Sequence, residues 1–206
     1  MIRTRQSFIG TTMFLLGLCV TSMSARATTI IADIEIDYLN SGANPAFSTG
    51  YYGGSTVSFP VTLADSLNAR DGDISTFVSL PTLSYITLGF SGGTVVDGAG
   101  NDLFLAETGS AAELADVFVS SDFGSTFTYL GVAFGNTVTE FDLASIGWAG
   151  AVNAVKVVGL DSNGGSPGFD LAYVEGLEGS VILPGPGSFF VFAIGLLLVA
   201  GRRLSR

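Results

Sequence analysis

The chain has 206 residues, 18 of them acidic and 8 basic, with one cysteine and no histidine. The missing histidine excludes a Ser-His-Asp triad, His-ligated zinc and imidazole acid–base catalysis, and a single cysteine excludes an internal disulfide framework. All the acidic residues lie between Asp33 and Glu178, where Arg70 and Lys156 are the only bases, so this body carries a charge of −16 and repels nucleic-acid phosphate.

Residues 1–27 read as a secretory signal peptide. Arg3 and Arg5 open it, Phe8 to Val20 form a short apolar core, and Ala25-Arg26-Ala27 offers an A-x-A cleavage site. The expected partners are the Sec translocon and signal peptidase. Cleavage after Ala27 removes Cys19 and leaves the mature protein without a thiol.

The body, 28–180, has the length of one domain. Ile30, Ala32, Ile34, Ile36 and Tyr38 alternate with Ile31, Asp33, Glu35 and Asp37, the period-two pattern of a half-buried strand. Residues 40–54 read as a Gly-rich loop. Further strands are predicted at Thr56–Leu63, Thr76–Leu80, Tyr85–Phe90, Leu103–Ala106, Asp116–Ser120, Thr126–Leu130, Val138–Leu143, Ala154–Leu160 and Phe169–Leu177. Gly, Asp, Asn and Ser turns separate them, and one short helix is predicted over Ser110 to Ala115. Short strands at this spacing predict an all-β fold, an antiparallel sandwich or jelly roll.

Chemistry-bearing residues are few. The loop Asp97-Gly98-Ala99-Gly100-Asn101-Asp102, with Glu107 one strand later and Asp170 near the last strand, gathers oxygen ligands suited to calcium. The alternative is a hairpin loop whose Asp and Asn side chains bond their own backbone. Asp71-Gly72-Asp73 and Asp161-Ser162-Asn163 read as turns. Gly89-Phe90-Ser91-Gly92-Gly93 matches a nucleophile elbow, but no histidine exists to activate the serine. Tyr51, Tyr52 and Trp148 are candidate sugar-stacking residues or core fillers. A hydrolase using two carboxylates stays open, although no spacing marks the pair.

The C-terminal segment, 181–206, joins Leu183-Pro184-Gly185-Pro186-Gly187 to an uncharged apolar run from Ser188 to Gly201 and a tail with Arg202, Arg203 and Arg206. The prolines and glycines stop a helix from running back into the body. The apolar run predicts a single transmembrane helix, and the arginines hold its end in the cytoplasm. This order resembles the C-terminal sorting signal of PEP-CTERM proteins and their VPLPA-type relatives. The resemblance implies processing by an exosortase-type enzyme.

A second resemblance covers about half the chain. Ser79-Leu80, Leu88-Gly89-Phe90, the Asp97–Asp102 loop, Phe104 to Glu107, Ala115 to Ser120, Phe141-Asp142-Leu143 and Gly168-Phe169-Asp170 follow one another in an order similar to that of an ectodomain found on exported bacterial surface proteins. It implies a discoidin-like, galactose-binding-like β-sandwich, a class that often binds glycans and often holds a structural calcium. The combined expectation is an exported, non-enzymatic protein, anchored in the cell-envelope membrane and then displayed on the cell surface or in the extracellular matrix. Its role would be structural or adhesive. The alternative is a calcium-dependent module that binds extracellular polysaccharide.

Overall fold

The computed structural model describes residues 28–43, 50–55, 58–109 and 112–179. The expected leader, sorting motif (Leu183 to Gly187), apolar span and arginine tail lie outside the described residues. Among the described residues no helix is long and apolar enough to cross a membrane.

The chain forms β1 (Thr29–Ile31), β2 (Ile34–Leu39), β3 (Tyr52–Ser55), β4 (Ser58–Leu63), β5 (Thr76–Leu80) and β6 (Tyr85–Gly89). It continues through β7 (Leu103–Glu107), β8 (Leu114–Ser120), β9 (Thr128–Phe134), β10 (Val138–Phe141), β11 (Ala154–Gly159) and β12 (Phe169–Leu177). All pairings between these strands are antiparallel. One sheet runs β10-β7-β12-β5-β3-β4, with β1 also paired to β12, and the other runs β2-β6-β11-β8-β9.

Alternation explains the stacking of the two sheets. Val78, Leu80, Leu103, Leu105, Phe169, Leu171 and Val174 of the first sheet share one buried cluster with Ile86, Leu88, Val117, Val119, Val155 and Val157 of the second. In β8 and β11 these residues alternate with half-buried ones, as a pleated strand requires, whereas a bulge between Leu171 and Tyr173 breaks the period in β12. The antiparallel sandwich is therefore the architecture that the pattern predicts.

Three local readings are corrected. The single first strand is two, because the chain changes sheet at Ala32 and Asp33. Strand β1 pairs with β12, to which the Ala32 N–H still bonds through the Val174 carbonyl, whereas β2 pairs with β6, and Asp33 accepts the Ser91 N–H at 2.8 Å. Residues 52–55, expected in a loop, form a strand in which Gly53 lets the backbone press against Phe77, whose carbonyl a Cβ there would overlap. The helix expected over Ser110 to Ala115 does not form at its end, because Leu114 and Ala115 begin β8 and pair with β9.

Candidate functional site

The four expected calcium ligands separate. Asp102 immediately precedes β7 and Glu107 ends it, so about 17 Å of strand lies between them and no single ion can hold both. Asp97 and Asp102 gather instead with Asp142 at one end of the sandwich, and Glu107 and Asp170 gather with Glu113 at the other.

The first group is built from turns. Asp102 is 1 % exposed, and its two carboxylate oxygens accept the Gly98 N–H and the Leu143 N–H, each at 2.9 Å. Asp142 caps a 3-10 turn over Leu143–Ile146 by accepting the Ala144 N–H at 2.8 Å. Asp97 is exposed. Here the carboxylates do the backbone-bonding work of the alternative reading.

The second group is different. Glu107, Glu113 and Asp170 are 3 %, 2 % and 1 % exposed, and one oxygen of each lies within 4.8 Å of the others. Glu107 accepts the Gly109 N–H at 2.7 Å and also the Asn136 N–H. Asp170 accepts the Ser166 hydroxyl at 2.7 Å, and Ser166 in turn touches the Ser79 hydroxyl at 2.5 Å. Burial pushes the Asp170 carboxyl up to about 7, and the charges of Glu107 and Asp161 add to this, against the hydrogen bonds of Ser79 and Ser166.

The two basic residues of the described chain are committed elsewhere. Arg70 bonds the Asp33 carbonyl and Ser66, and Lys156 lies over Tyr85. A Cβ at Gly109 would strike oxygens of Glu107 and Glu113, so glycine is what keeps this space free. Three hard oxygen donors around such a gap suit a divalent cation of the calcium type. Buried at these levels, the same carboxylates are out of reach of a substrate, which removes them as a glycosidase pair.

The expected sugar-stacking residues also separate. Tyr52 is 1 % exposed in β3, so its role as an exposed platform is corrected: the neighbouring glycines serve close packing and not a surface loop. Tyr51 stacks on Tyr38 with ring centroids 4.0 Å apart and donates its hydroxyl to Glu35. Trp148 is half-buried against the core.

The outer face of the five-stranded sheet carries an aromatic array that sequence reasoning missed. Asp37, Thr87, Lys156, Phe118 and Tyr129 form one continuous cross-strand row, one residue from each strand. Leu39, Tyr85, Val158, Asp116 and Val132 form the next. Lys156 Nζ sits 3.5 Å from the Tyr85 ring centroid and 5.3 Å from that of Phe127, so its charge is held against π faces. Phe118 and Tyr129 meet edge to face at 5.4 Å, and Tyr129 is 48 % exposed. The Tyr85 hydroxyl donates to Asp37 at 2.8 Å, and that bond pushes the phenol's pKa up. The signal was legible in part: Phe118 lies between Val117 and Val119, and Lys156 between Val155 and Val157, so both had to face outward.

No family model matches the chain, and no curated protein matches it. Among solved structures it is similar to CBM32 of AlyQ in complex with 4,5-unsaturated mannuronic acid, at 16 % identity and a TM-score of 0.42, covering 62 % of this chain and 98 % of that one. It is also similar to a family 29 carbohydrate-binding module, at 10 % identity and a TM-score of 0.38, covering 75 % of this chain and 91 % of that one.

Proposed function

We propose that the β-sandwich is a non-catalytic glycan-binding module of an exported bacterial surface protein. The observation that carries this reading is the double cross-strand row on the five-stranded sheet. Five strands about 4.8 Å apart span roughly 19 Å, room for several pyranose rings laid side by side. Phe118 and Tyr129 offer ring surface for the C–H faces of sugars, while Asp37, Asp116 and Lys156, the last resting on the Tyr85 ring, offer acceptors and donors for hydroxyls. Flat apolar surface with a few fixed polar groups is what oriented binding of a sugar needs.

Charge selects the class of glycan. The face sets two carboxylates against one lysine, on a body of −16. A polyuronate or sulfated chain is repelled there, whereas a neutral polysaccharide is not. Glu107, Glu113 and Asp170 would hold a structural calcium ion at one end of the sandwich. In this reading the leader exports the chain, the Pro-Gly motif and arginine tail retain it for exosortase-type processing, and the displayed module adheres through sugar.

Affinity gel electrophoresis of the full-length chain in mild detergent tests the module. Gels cast with laminarin or galactomannan should retard it, and gels cast with alginate should not. Tyr129→Ala should weaken retardation about tenfold, the worth of one well-placed aromatic contact. Retardation by alginate alone would overturn the neutral class, and no retardation at all would overturn the module. The anchor has a separate check. Full-length protein should fractionate with membranes, and deletion of 189–206 should release it; soluble full-length protein would sink that part.

A further inference from the structure

Among the described residues, three other than glycine have a left-handed backbone: Leu83, Phe123 and Asn136, with φ of 65°, 55° and 56°. Asn136 tolerates this conformation because its short polar side chain does. Leu83 is the third residue of a turn closed by the Ser84 N–H on the Pro81 carbonyl at 2.8 Å, where a type II turn requires positive φ. Phe123 is harder to place. It opens the centre of the turn Asp122-Phe123-Gly124-Ser125, closed by the Ser125 N–H on the Asp122 carbonyl at 3.3 Å, and Gly124 follows at φ 86°. Two successive positive φ values are the type I′ pattern, which Asn, Asp and Gly fill.

A phenylalanine there gains little from packing, since it is 63 % exposed. The strain is nonetheless held in place by a dense set of bonds. The Phe123 N–H donates to Asn153 Oδ1 at 2.8 Å, and Asn153 Nδ2 donates to the Ser121 carbonyl at 2.7 Å. Ser120 Oγ accepts the Gly124 N–H at 2.9 Å and donates to Asp122 Oδ1 at 2.7 Å. Asp122 also accepts the N–H and hydroxyl of Thr126, each at 2.8 Å. The loop leans on the outer face of the five-stranded sheet, because a Cβ at Gly124 would lie 3.4–3.7 Å from Phe127, Thr87 and Ile36.

An exposed aromatic side chain on a backbone held in a strained conformation, beside an aromatic sheet face, is a contact whose backbone has little freedom left to lose on binding. We infer that Phe123 is a ligand-contacting residue that extends the neutral-glycan platform past the end of the sheet. This rests on the glycan-binding reading of that face. Because the ring does not hold the fold together, stability and binding should move in opposite directions when it is replaced.

Phe123→Asn supplies a residue that suits the turn. Its melting temperature should rise by about 2 °C, while retardation of the full-length chain in a laminarin or galactomannan gel weakens about tenfold. Phe123→Tyr and Phe123→Trp should keep the retardation. Unchanged retardation of Phe123→Asn, or a melting temperature that falls along with binding, would overturn the assignment while leaving the module intact. A wild-type chain retarded by neither glycan would overturn the module itself, and Phe123 with it.

Discussion

With calcium added the protein should melt at a higher temperature than in EDTA, and the gap should widen as the pH is raised from 5 to 8. At 100 times its dissociation constant, an ion bound only by the folded state adds about 2.7 kcal/mol, or roughly 5 to 10 °C for a domain of this size. The pH dependence follows from Asp170, whose carboxyl is pushed up to about 7 by burial, with the charges of Glu107 and Asp161 adding to it. Its folded pKa lies above its unfolded one, so in EDTA the folded state holds a proton that the unfolded state has released. Stability is then largest at low pH and falls as pH rises towards 7, by about 3 kcal/mol between pH 5 and 8. Calcium requires the ionised carboxylates and reverses that trend. Asp170→Asn should raise the EDTA melting point at pH 8 and abolish the calcium shift. A calcium shift that survives Asp170→Asn would place the ion elsewhere, and none in wild type would leave the cluster a proton-sharing one.

Asp102→Ala should destabilise the fold by about 3 kcal/mol without touching glycan affinity. The substitution strands the buried N–H of Leu143 and removes the partner of the part-buried Gly98 N–H, both of which Asp102 accepts at 2.9 Å. Each unmade bond of this kind costs about 1–3 kcal/mol. Thermal or urea unfolding measures the loss, expected near 10 °C in melting temperature. Asp102→Asn, which keeps one acceptor oxygen, should recover about half. If Asp102→Ala melts like wild type but loses calcium response, the loop is a metal site and not a turn.

The sandwich was legible because most of its strands carry their own period-two pattern, as Leu103, Leu105 and Glu107 or Val155, Val157 and Gly159 show. Short elements broke the reading. Tyr52 looked like a surface residue because glycines flank it, yet Gly53 is there to let β3 approach Phe77. The split of the calcium quartet could have been read: Asp102 and Glu107 bracket a predicted strand, and a strand keeps its ends apart. Glu113 was hidden inside a helical reading of Ser110 to Ala115. The aromatic rows needed register, which decides that Lys156 faces Phe118 and Thr87. No single strand's sequence contains that information.

Strand β12 runs through the middle of its sheet, bonded to β7 on one side and to β5 and β1 on the other. Its last residues are also tied to the start of the domain, where the Glu178 N–H meets the Thr28 carbonyl at 2.7 Å. Tension applied at Gly179 therefore pulls along β12 and loads its hydrogen bonds in parallel, as shear. They must give way together and cannot open one at a time like a zipper. A module gripping a polysaccharide while tethered through that strand would resist flow well beyond what its equilibrium stability alone implies.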